Sequence, residues 1–312
     1  MQVIHDIHHL PPFQDTVLTI GTYDGVHFGH QQILRRVIDA AKSISGKSIL
    51  MTFNPHPRLV LQPDHPVKLI TTFEEKMEIL AGYDLDYVVA IPFSIDFASM
   101  DAEAYIKDII VNMFNPKHII IGYDHKFGKN RLGDLNLLQR FSTVYGYEVE
   151  EISKQTIDEI AISSTKVRAA LLEGDIQSAN FWLAHPFSIS GKVVDGDKVG
   201  RKLGFPTANI SIENPNKLIP PSGVYAVKVN LNGKDYNGAL SIGNRPTFKL
   251  GNQLVIEVYI IDFSGDIYGE HIKITFLEKI RGQRRFENEH ELILQMEKDV
   301  EMCKRLGIAF HN

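Results

Sequence analysis

The sequence predicts an α/β amino-terminal half built on a parallel sheet, followed by an antiparallel β-barrel that a long carboxyl-terminal helix closes. Two observations support this fold class. Through residue 172, short apolar strands alternate with amphipathic helices of roughly 10 to 15 residues, which is the pattern of βαβ units and of a parallel sheet. Beyond residues 184–187 the helical period nearly vanishes, and short β-rich segments follow with turn residues between them, as in antiparallel barrels. We therefore expect two domains, residues 1–185 and 186–312.

The pattern also sets approximate bounds for each element of the first half. Residues 1–15, with His5, His8 and His9, are predicted to be a loose segment rather than a metal cluster. The strands are predicted at 16–20, 48–53, 86–91, 118–121 and 148–152. The helices are predicted at 29–45, 73–81, 101–114, 135–145 and from Ser163–Thr165 through Leu172.

In the second half, strands are predicted at 187–194, 223–231, 236–242, 254–261 and 271–277. Asn232-Gly233 indicates a type I′ hairpin, and Ser264–Asp266 is predicted to act as a similar turn. A final helix is expected at 288–306. Its apolar stripe, which we expect to pack on the barrel, consists of Leu292, Met296, Val300 and Cys303.

Composition narrows the classes of function. The chain has 312 residues and a net charge of −5, with a pI near 6.2, which argues against a nucleic-acid binder with a basic face. Cys303 is the single cysteine, so no intramolecular disulfide can form. The amino terminus lacks the pattern of a signal peptide, and no apolar run approaches the ~18 residues of a membrane span. We therefore expect a cytoplasmic protein without a membrane partner.

Thr19–Leu34 is the stretch around which the first half is organised. A β-branched strand ends at Gly21, a tight turn follows, and a helix then begins near His27, Gly29 and His30. Unpaired amides and the positive end of the helix dipole make such a helix start a phosphate site. His27 and His30 are predicted to share one helix face and donate to one anion. Metal ligands or structural histidines are the alternatives, although no carboxylate or cysteine is spaced to complete a metal site.

Other candidate segments lie at predicted strand ends, where parallel sheets bind their ligands. In Asn54–Arg58 two prolines are expected to stop any helix and fix an ordered loop, which is either structural or functional. Gly122–Asp134 holds three glycines and three basic residues, as in a solvated loop or a basic lid over phosphates. Ser163–Arg168 starts a helix with hydroxyl groups and an arginine, which indicates a second phosphate site or a simple N-cap.

The second half contributes a glycine-rich segment and one acid. Gly191–Asn209 is dense in glycine and basic residues, as in a flap over nucleotide phosphates or an ordinary hairpin. Thr207 and Asn209 alternate along an extended segment, so their oxygens share a face and suit Mg²⁺ that phosphate also holds. Glu257 lies in an apolar strand and is either solvent-facing or functional.

In joint order and spacing, these motifs resemble the bacterial bifunctional riboflavin kinase/FMN adenylyltransferases, also called FAD synthetases, over nearly the whole chain. In the first half the resemblance rests on Gly21–His30, Asn54–Pro57, Gly122–Arg131 and Ile162–Arg168. In the second half it rests on Gly204–Asn209, Gly238–Phe248, Glu257 and Asp262–Gly269. Three positions depart from the family pattern, namely His125, Tyr259 and Gln283.

The resemblance implies a Rossmann-like nucleotidyltransferase domain and a flavokinase-like barrel. It implies that the barrel uses ATP and Mg²⁺ to phosphorylate riboflavin to FMN, and that the first domain adenylylates FMN to FAD. The implied catalytic groups are His27, His30, Arg168 and Glu257, with Thr207 and Asn209 as metal ligands. The implied nucleotide contacts are Gly21, Tyr23, Asp24, Gly29, Asn54, Asp124, Ser163, Ser164, Thr165, Gly196, Lys198, Gly200, Arg201, Lys202, Gly204 and Pro206. The flavin contacts are expected at Phe93, Phe97, Tyr123 and Arg281.

Two other functions remain open at this point. A different nucleotidyltransferase, of the cytidylyl or pantetheine type, would explain the first half but leave the barrel motifs as coincidence. A non-catalytic flavin-binding protein would predict lost catalytic positions, whereas His27, His30, Arg168 and Glu257 are all present. The expected partners are small molecules and not nucleic acid, and a homo-oligomer stays open.

Overall fold

The chain forms two compact units. The computed structural model describes residues 1–152, 162–196, 203–247 and 251–309. One unit comprises Met1–Val67 and Thr72–Ser164, and the other comprises Lys68–Thr71 and Thr165–Asn312. The predicted division after residue 185 is not decided by this packing and stays a prediction.

The first unit is built on a six-stranded sheet in the order β1-β4-β3-β2-β5-β6. Every neighbouring pair is parallel, which confirms the predicted class. The strands are β1 (Gln2–Ile4), β2 (Thr16–Ile20), β3 (Lys47–Phe53), β4 (Tyr87–Ile91), β5 (Pro116–Gly122) and β6 (Glu148–Ile152). The prediction of a loose segment at 1–15 is wrong, because Gln2–Ile4 pairs with β4 as an edge strand. Three residues are too few to show a period.

Helices cover both faces of this sheet, each above its own apolar cluster. The helices of this unit are α1 (Phe28–Ser43), α2 (Pro57–Leu61), α3 (Phe73–Leu80), α4 (Ile95–Ala98), α5 (Ala102–Ala104), a π-helix (Tyr105–Val111), α6 (Asn112–Phe114) and α7 (Leu135–Tyr145), with 3₁₀ turns at Ile7–His9 and Lys129–Arg131. The expectation that the prolines of 54–58 stop any helix is wrong. Pro57 begins α2, since a first helical residue needs no N–H.

The second unit is a closed barrel in the order β10-β11-β8-β7-β12-β9. Its pairs are antiparallel, as predicted. The strands are β7 (Ser188–Val194), β8 (Thr207–Ser211), β9 (Gly223–Leu231), β10 (Lys234–Thr247), β11 (Gly251–Ile260) and β12 (His271–Arg281). The helices are α8 (Ser164–Glu173), α9 (Ile176–Leu183) and α10 (Glu289–Ala309). Of these, α9 was not expected.

The turns of the barrel test two hairpin predictions. Asn232 and Gly233 both have positive φ, at 52° and 79°, which confirms the type I′ turn between β9 and β10. The hairpin predicted at Ser264–Asp266 is wrong, because it lies between β11 and β12, and β12 pairs with β7 and β9 instead. The final helix packs on the barrel as expected, with Cys303 and Val300 against barrel residues.

No helix in the described part of the chain combines the length and the apolar character that crossing a membrane requires. Among the same residues, no group of three histidine, cysteine, aspartate or glutamate side chains could hold a metal ion.

Candidate functional site

The turn between β2 and α1 has an unusual backbone. Tyr23, Gly25 and Val26 all have positive φ, at 50°, 81° and 41°, a region that side chains with a Cβ rarely adopt. Such strain persists where the surroundings fix it, and it concentrates at functional sites. Here the Tyr23 hydroxyl pairs with Thr19 Oγ1 at 2.9 Å. A Cβ at Gly21 would meet the Tyr23 ring at 3.0 Å, so this glycine lets the ring close over the strand end.

His27 and His30 lie together, as the sequence predicts. Their rings stack at 3.7 Å between centroids, and Tyr23 stacks on His30 at 4.5 Å. His27 is also the N-cap of α1, since its Nδ1 accepts from the His30 amide at 3.4 Å. This capping role was not predicted, because histidine is not among the residues that usually cap a helix.

The environment of His30 keeps its imidazole uncharged. Burial lowers its pKa well below the ordinary value, and the charges of His27 and Lys76 lower it further. Its Nδ1 is buried and has no hydrogen-bond partner within the described residues. A neutral imidazole with an unused nitrogen can still donate or accept one hydrogen bond. In the first turn of α1 the His30 amide donates to His27 Nδ1, whereas the amides of Phe28 and Gly29 have no intrahelical acceptor.

The segment 162–168 is divided between the two units. The Ser164 hydroxyl donates to the Asp24 carbonyl at 3.0 Å, which brings this predicted residue to the turn. Asp24 itself is buried. In the second unit, Arg168 Nε donates to the Lys68 carbonyl at 2.7 Å, and Thr165 is exposed. Their proposed contacts with phosphate stay predictions.

Two further predicted nucleotide contacts lie at the carboxyl edge of the sheet. Asn54 follows β3 and is exposed, and its backbone N–H donates to the Ile91 carbonyl at 3.0 Å. Asp124 follows β5 and is also exposed. Both therefore lie at the strand ends where parallel sheets bind ligands.

An aromatic cluster occupies the same edge. Phe93 and Phe97 are in contact, with centroids 5.7 Å apart, and Phe53 lies edge-on to Phe93 at 5.5 Å. Phe97 also contacts Tyr105 at 5.8 Å, and Tyr105 stacks on Phe127 at 5.1 Å. Only Phe93 and Phe97 of this set were predicted from the sequence, although Phe53 ends a predicted strand and could have been found by its position.

Two other residues of the loop after β5 bear on this cluster. His125, one of the departures from the family pattern, lies beside Phe127 at 5.7 Å. Burial lowers its pKa to about 4, so it serves as a neutral ring. Tyr123, the third predicted flavin contact, is 41% exposed.

The barrel contains a cavity of about 400 Å³ between its strands and α10. Glu257, Tyr259 and Thr207 line it. In the strand register Glu257 lies opposite Asn209, and Tyr259 lies opposite Thr207, so an acid and two neutral oxygen donors share one face of neighbouring strands. The remaining lining residues are Leu203, Phe205, Val224, Ala239, Ser241, Arg281, Gln283, Phe286, Leu292, Met296, Asp299 and Val300.

The glycine-rich flap is described only at its two ends. Lys198, Gly200, Arg201 and Lys202 lie outside the described residues. Gly196 packs directly against the Asn209 side chain, where a Cβ would overlap the amide. Gly204 has a φ of 87°, and Pro206 leads into β8. Of the nucleotide contacts predicted in this flap, only Gly196, Gly204 and Pro206 are therefore described, and Gly196 contacts Asn209.

Arg281 lines the cavity but is held by the final helix. Its Nη2 pairs with Asp299 Oδ2 at 2.8 Å, and its Nε lies 3.1 Å from both carboxylate oxygens. Gln283 bonds to Ser241 Oγ and to the Ile242 carbonyl, and Tyr259 lies edge-on to Phe205 at 5.4 Å. Two departures from the family pattern, Tyr259 and Gln283, thus belong to the cavity wall.

Comparisons with known proteins match both units. A family model described as FAD synthetase matches residues 11–166, and one described as riboflavin kinase matches residues 183–306. The chain belongs to the bifunctional riboflavin kinase/FMN adenylyltransferase family. Its relative of that name from Buchnera aphidicola subsp. Schizaphis graminum is 37% identical over 310 residues, or 98% of each chain. The relative of the same name from Escherichia coli strain K12 is 38% identical over 304 residues, or 96% of each.

One solved structure is also similar over nearly the whole chain. It is described as "Crystal Structure of Macrolide-efflux Protein from Streptococcus pneumoniae" and matches with a TM-score of 0.87 and 30% identity. The match covers 97% of this chain and 98% of that one. The efflux function named in that description is a statement about the Streptococcus pneumoniae protein and is not carried over to this chain.

Proposed function

We propose that this chain makes FAD in two steps, one in each unit. The barrel transfers the γ-phosphate of ATP to riboflavin and yields FMN. The first unit then joins FMN to the adenylyl group of a second ATP and releases pyrophosphate. The observation that carries the proposal is that one chain holds both a FAD synthetase match and a riboflavin kinase match, each over a unit with its own candidate site.

In the first unit the reaction needs positioning and charge stabilisation rather than a covalent intermediate. An oxygen of the FMN phosphate attacks the α-phosphorus of ATP, a new O–P bond forms, and the bond to pyrophosphate breaks. The first-turn amides of α1 face such an anion by geometry. In this proposal His27 and His30 donate hydrogen bonds beside them, and the stacking of the two rings and the lowered pKa of His30 support a neutral donor there.

The aromatic cluster supports a binding site for the second substrate of this unit. Phe53, Phe93 and Phe97 are half-buried and in mutual ring contact at the carboxyl edge of the sheet. The buried rings of Tyr105 and Phe127 pack behind Phe97. A flat heteroaromatic ring such as the isoalloxazine of FMN can pack on such faces and edges. We therefore assign the flavin ring to this cluster, and Asn54 and Asp124 to the neighbouring nucleotide.

In the barrel, Glu257 is the proposed general base. It accepts the proton of the riboflavin 5′-hydroxyl while that oxygen attacks the γ-phosphorus and ADP leaves. The cavity beside it has a volume typical of small-molecule sites and mostly apolar walls. Arg281, fixed by Asp299, adds a cationic group to the wall.

Thr207 and Asn209 fit the Mg²⁺ that such a phosphoryl transfer uses. Both offer neutral oxygens on one strand face, next to the Glu257 carboxylate, and Mg²⁺ prefers oxygen ligands completed by substrate phosphates and water. When bound, the ion neutralises charge that develops on the phosphate oxygens. Since both reactions consume ATP, a cytoplasmic location is part of the proposal.

Incubation with ATP, Mg²⁺ and riboflavin, followed by chromatography, tests the proposal. We expect FMN to appear first and FAD later. The variant His30→Ala should lose about 10²–10³-fold in FAD formation, as when one donor is removed from an anion-stabilising site, and keep FMN formation. The variant Glu257→Gln should stop FMN formation but still convert added FMN to FAD.

His9→Ala is the matched control, because that histidine is 84% exposed. It should leave both products unchanged. Equal loss of both activities in a folded His30→Ala variant would contradict the assignment of one reaction to each unit. Absence of both products with the unmodified protein would contradict the proposed function itself.

A further inference from the structure

Lys76 is a buried lysine directly beneath the turn that carries the two histidines. It lies in α3, and only 6% of the residue is exposed. Its Nζ donates to the Thr22 carbonyl and to Thr52 Oγ1, each at 3.0 Å. The Thr52 hydroxyl in turn donates to the Thr22 carbonyl at 3.2 Å. Lys76 thus joins helix α3, strand β3 and the base of the turn through one ammonium group.

The ammonium is fixed from its own helix as well. The first turn of α3 has a capping box, in which Thr72 accepts from the Glu75 amide and the Glu75 carboxylate accepts from the Thr72 amide. Two reciprocal bonds of this kind define where a helix begins. The position of Lys76, one residue later, is therefore set by the backbone and not by its side chain alone.

Among the residues that the structure describes, no direct partner neutralises the charge of Lys76. Within the described residues, no carboxylate forms an ion pair with it, although Asp24 acts on it through space. Buried charges are normally paired, since removal from water is costly. Burial accordingly lowers the pKa of Lys76 to about 8. The fold thus keeps a cation here whose direct contacts are two neutral oxygens and the ring of Phe73.

The positive charge of Lys76 acts on His30 and on the turn that precedes α1. Lys76 lowers the pKa of His30, so its field reaches the ring that lies at the start of α1. The Thr22 carbonyl that it holds is followed at once by the left-handed residues of the turn. An anion bound at the amides of α1 would supply the negative charge that Lys76 lacks.

We propose that Lys76 is a positioning residue of the adenylyl-transfer site, which fixes the turn through Thr22 and Thr52 and supplies the buried positive charge that complements a bound triphosphate. The inference rests on the proposed function of the first unit. In this role Lys76 touches no reacting atom. It acts by holding the backbone of the turn and by its electrostatic field at the start of α1.

The unmodified protein allows a direct test. The titration of Lys76 can be followed by NMR with [ε-¹³C]lysine, its signal being assigned by its loss in Lys76→Arg. Without nucleotide we expect a midpoint near the pKa of about 8. With saturating α,β-methylene-ATP the midpoint should rise by about one unit or more, because a nearby anion favours the charged form. An unchanged midpoint would overturn the proposal, whatever the variants do.

Kinetics of Lys76→Met provide the second test. Methionine keeps the unbranched apolar stem but lacks the terminal ammonium group and its charge. We expect kcat/KM for ATP in FAD formation to fall about 10²-fold, on the scale of a lost anion-stabilising group, while riboflavin phosphorylation is unchanged. In the unmodified protein kcat/KM for ATP, which reports on the nucleotide-free protein, should decline as pH rises through about 8, and this decline should be absent in the variant.

Lys42→Met is the matched control. Lys42 lies in α1, is 64% exposed and pairs with Asp84 at the surface, so both activities should stay within about twofold. If Lys76→Met behaves like Lys42→Met, the role of Lys76 is refuted while FAD formation stands. If the unmodified protein forms no FAD from FMN and ATP, the proposed function of the unit fails first.

Discussion

At the scale of single residues, Lys76 makes stability depend on pH. Its pKa is about 8 in the folded chain and 10.5 when unfolded, so the unfolded chain binds more protons between these values. The free energy of unfolding therefore rises with pH across that window. Below pH 8 the buried charge lowers the free energy of unfolding by its full amount, on the order of 3 kcal/mol. This figure leaves out the hydrogen bonds that Lys76 donates in the folded chain.

Lys76→Met should consequently be more stable than the unmodified protein at pH 7, and this advantage should shrink towards pH 10. The Thr22 carbonyl and the Thr52 hydroxyl keep their mutual bond in the variant. Urea unfolding followed by circular dichroism at both pH values measures the difference. Trp182, the one tryptophan, lies in the second unit, so its fluorescence transition is an internal control that should not move. A variant less stable at both pH values would contradict this account.

The same residue shows why part of the site escapes sequence reasoning. His27 and His30 were found because glycine turns and helix starts have a local signature. Lys76 lies among Glu74, Glu75 and Glu78, where a lysine resembles an exposed helical charge. Its burial depends on a turn some fifty residues away, which no local pattern reveals.

At the scale of elements, regular segments were predicted well and short ones poorly. Strands β2, β6 and β9 lie where the pattern places them, because five or more apolar or alternating residues define a period. The three-residue strand β1 is too short for that. The Ser264–Asp266 error has a different cause, since a turn signal does not say which strands it joins.

The β9–β10 hairpin gives a test at this scale. Gly233→Ala should lower the free energy of unfolding by about 1 kcal/mol, because alanine is strained at a positive φ. Space is not a factor, since a Cβ at Gly233 meets nothing within 4 Å. Gly282 is equally open but lies outside the left-handed region, so Gly282→Ala is the control and should cost nearly nothing. Urea unfolding monitored by Trp182 fluorescence compares them, and equal losses would show that φ is not the cause.

At the scale of the whole molecule, each unit has its own core and its own site. The first unit holds its clusters on the two faces of the parallel sheet, and the second builds its core from barrel strands together with helices α8 and α9. The barrel unit also contains Cys303, the sole cysteine, which is 1% exposed in the cluster between barrel and final helix. This thiol can report on the opening of that unit.

Burial, with a smaller contribution from the charge of Asp299, raises the pKa of Cys303 to about 12. Thiol reagents attack the thiolate and need access to it, so at pH 8 Cys303 should react only when α10 leaves the barrel. Leu292 and Met296 of α10 line the cavity proposed for riboflavin, and riboflavin should therefore hold the helix in place. At a concentration of 100 Kd, labelling should slow about 100-fold, as mass action requires.

Ala239→Trp separates this linkage from nonspecific stabilisation. Ala239 lines the cavity, and an indole there would occupy the space of the flavin ring. The rate at which Cys303 of this variant is labelled, measured by the release of a chromophoric thiol from the reagent, should not change when riboflavin is added. Protection that persists in Ala239→Trp would place the flavin elsewhere in the molecule. Labelling of the unliganded protein at the rate of a free thiol would mean that α10 does not stay on the barrel in solution.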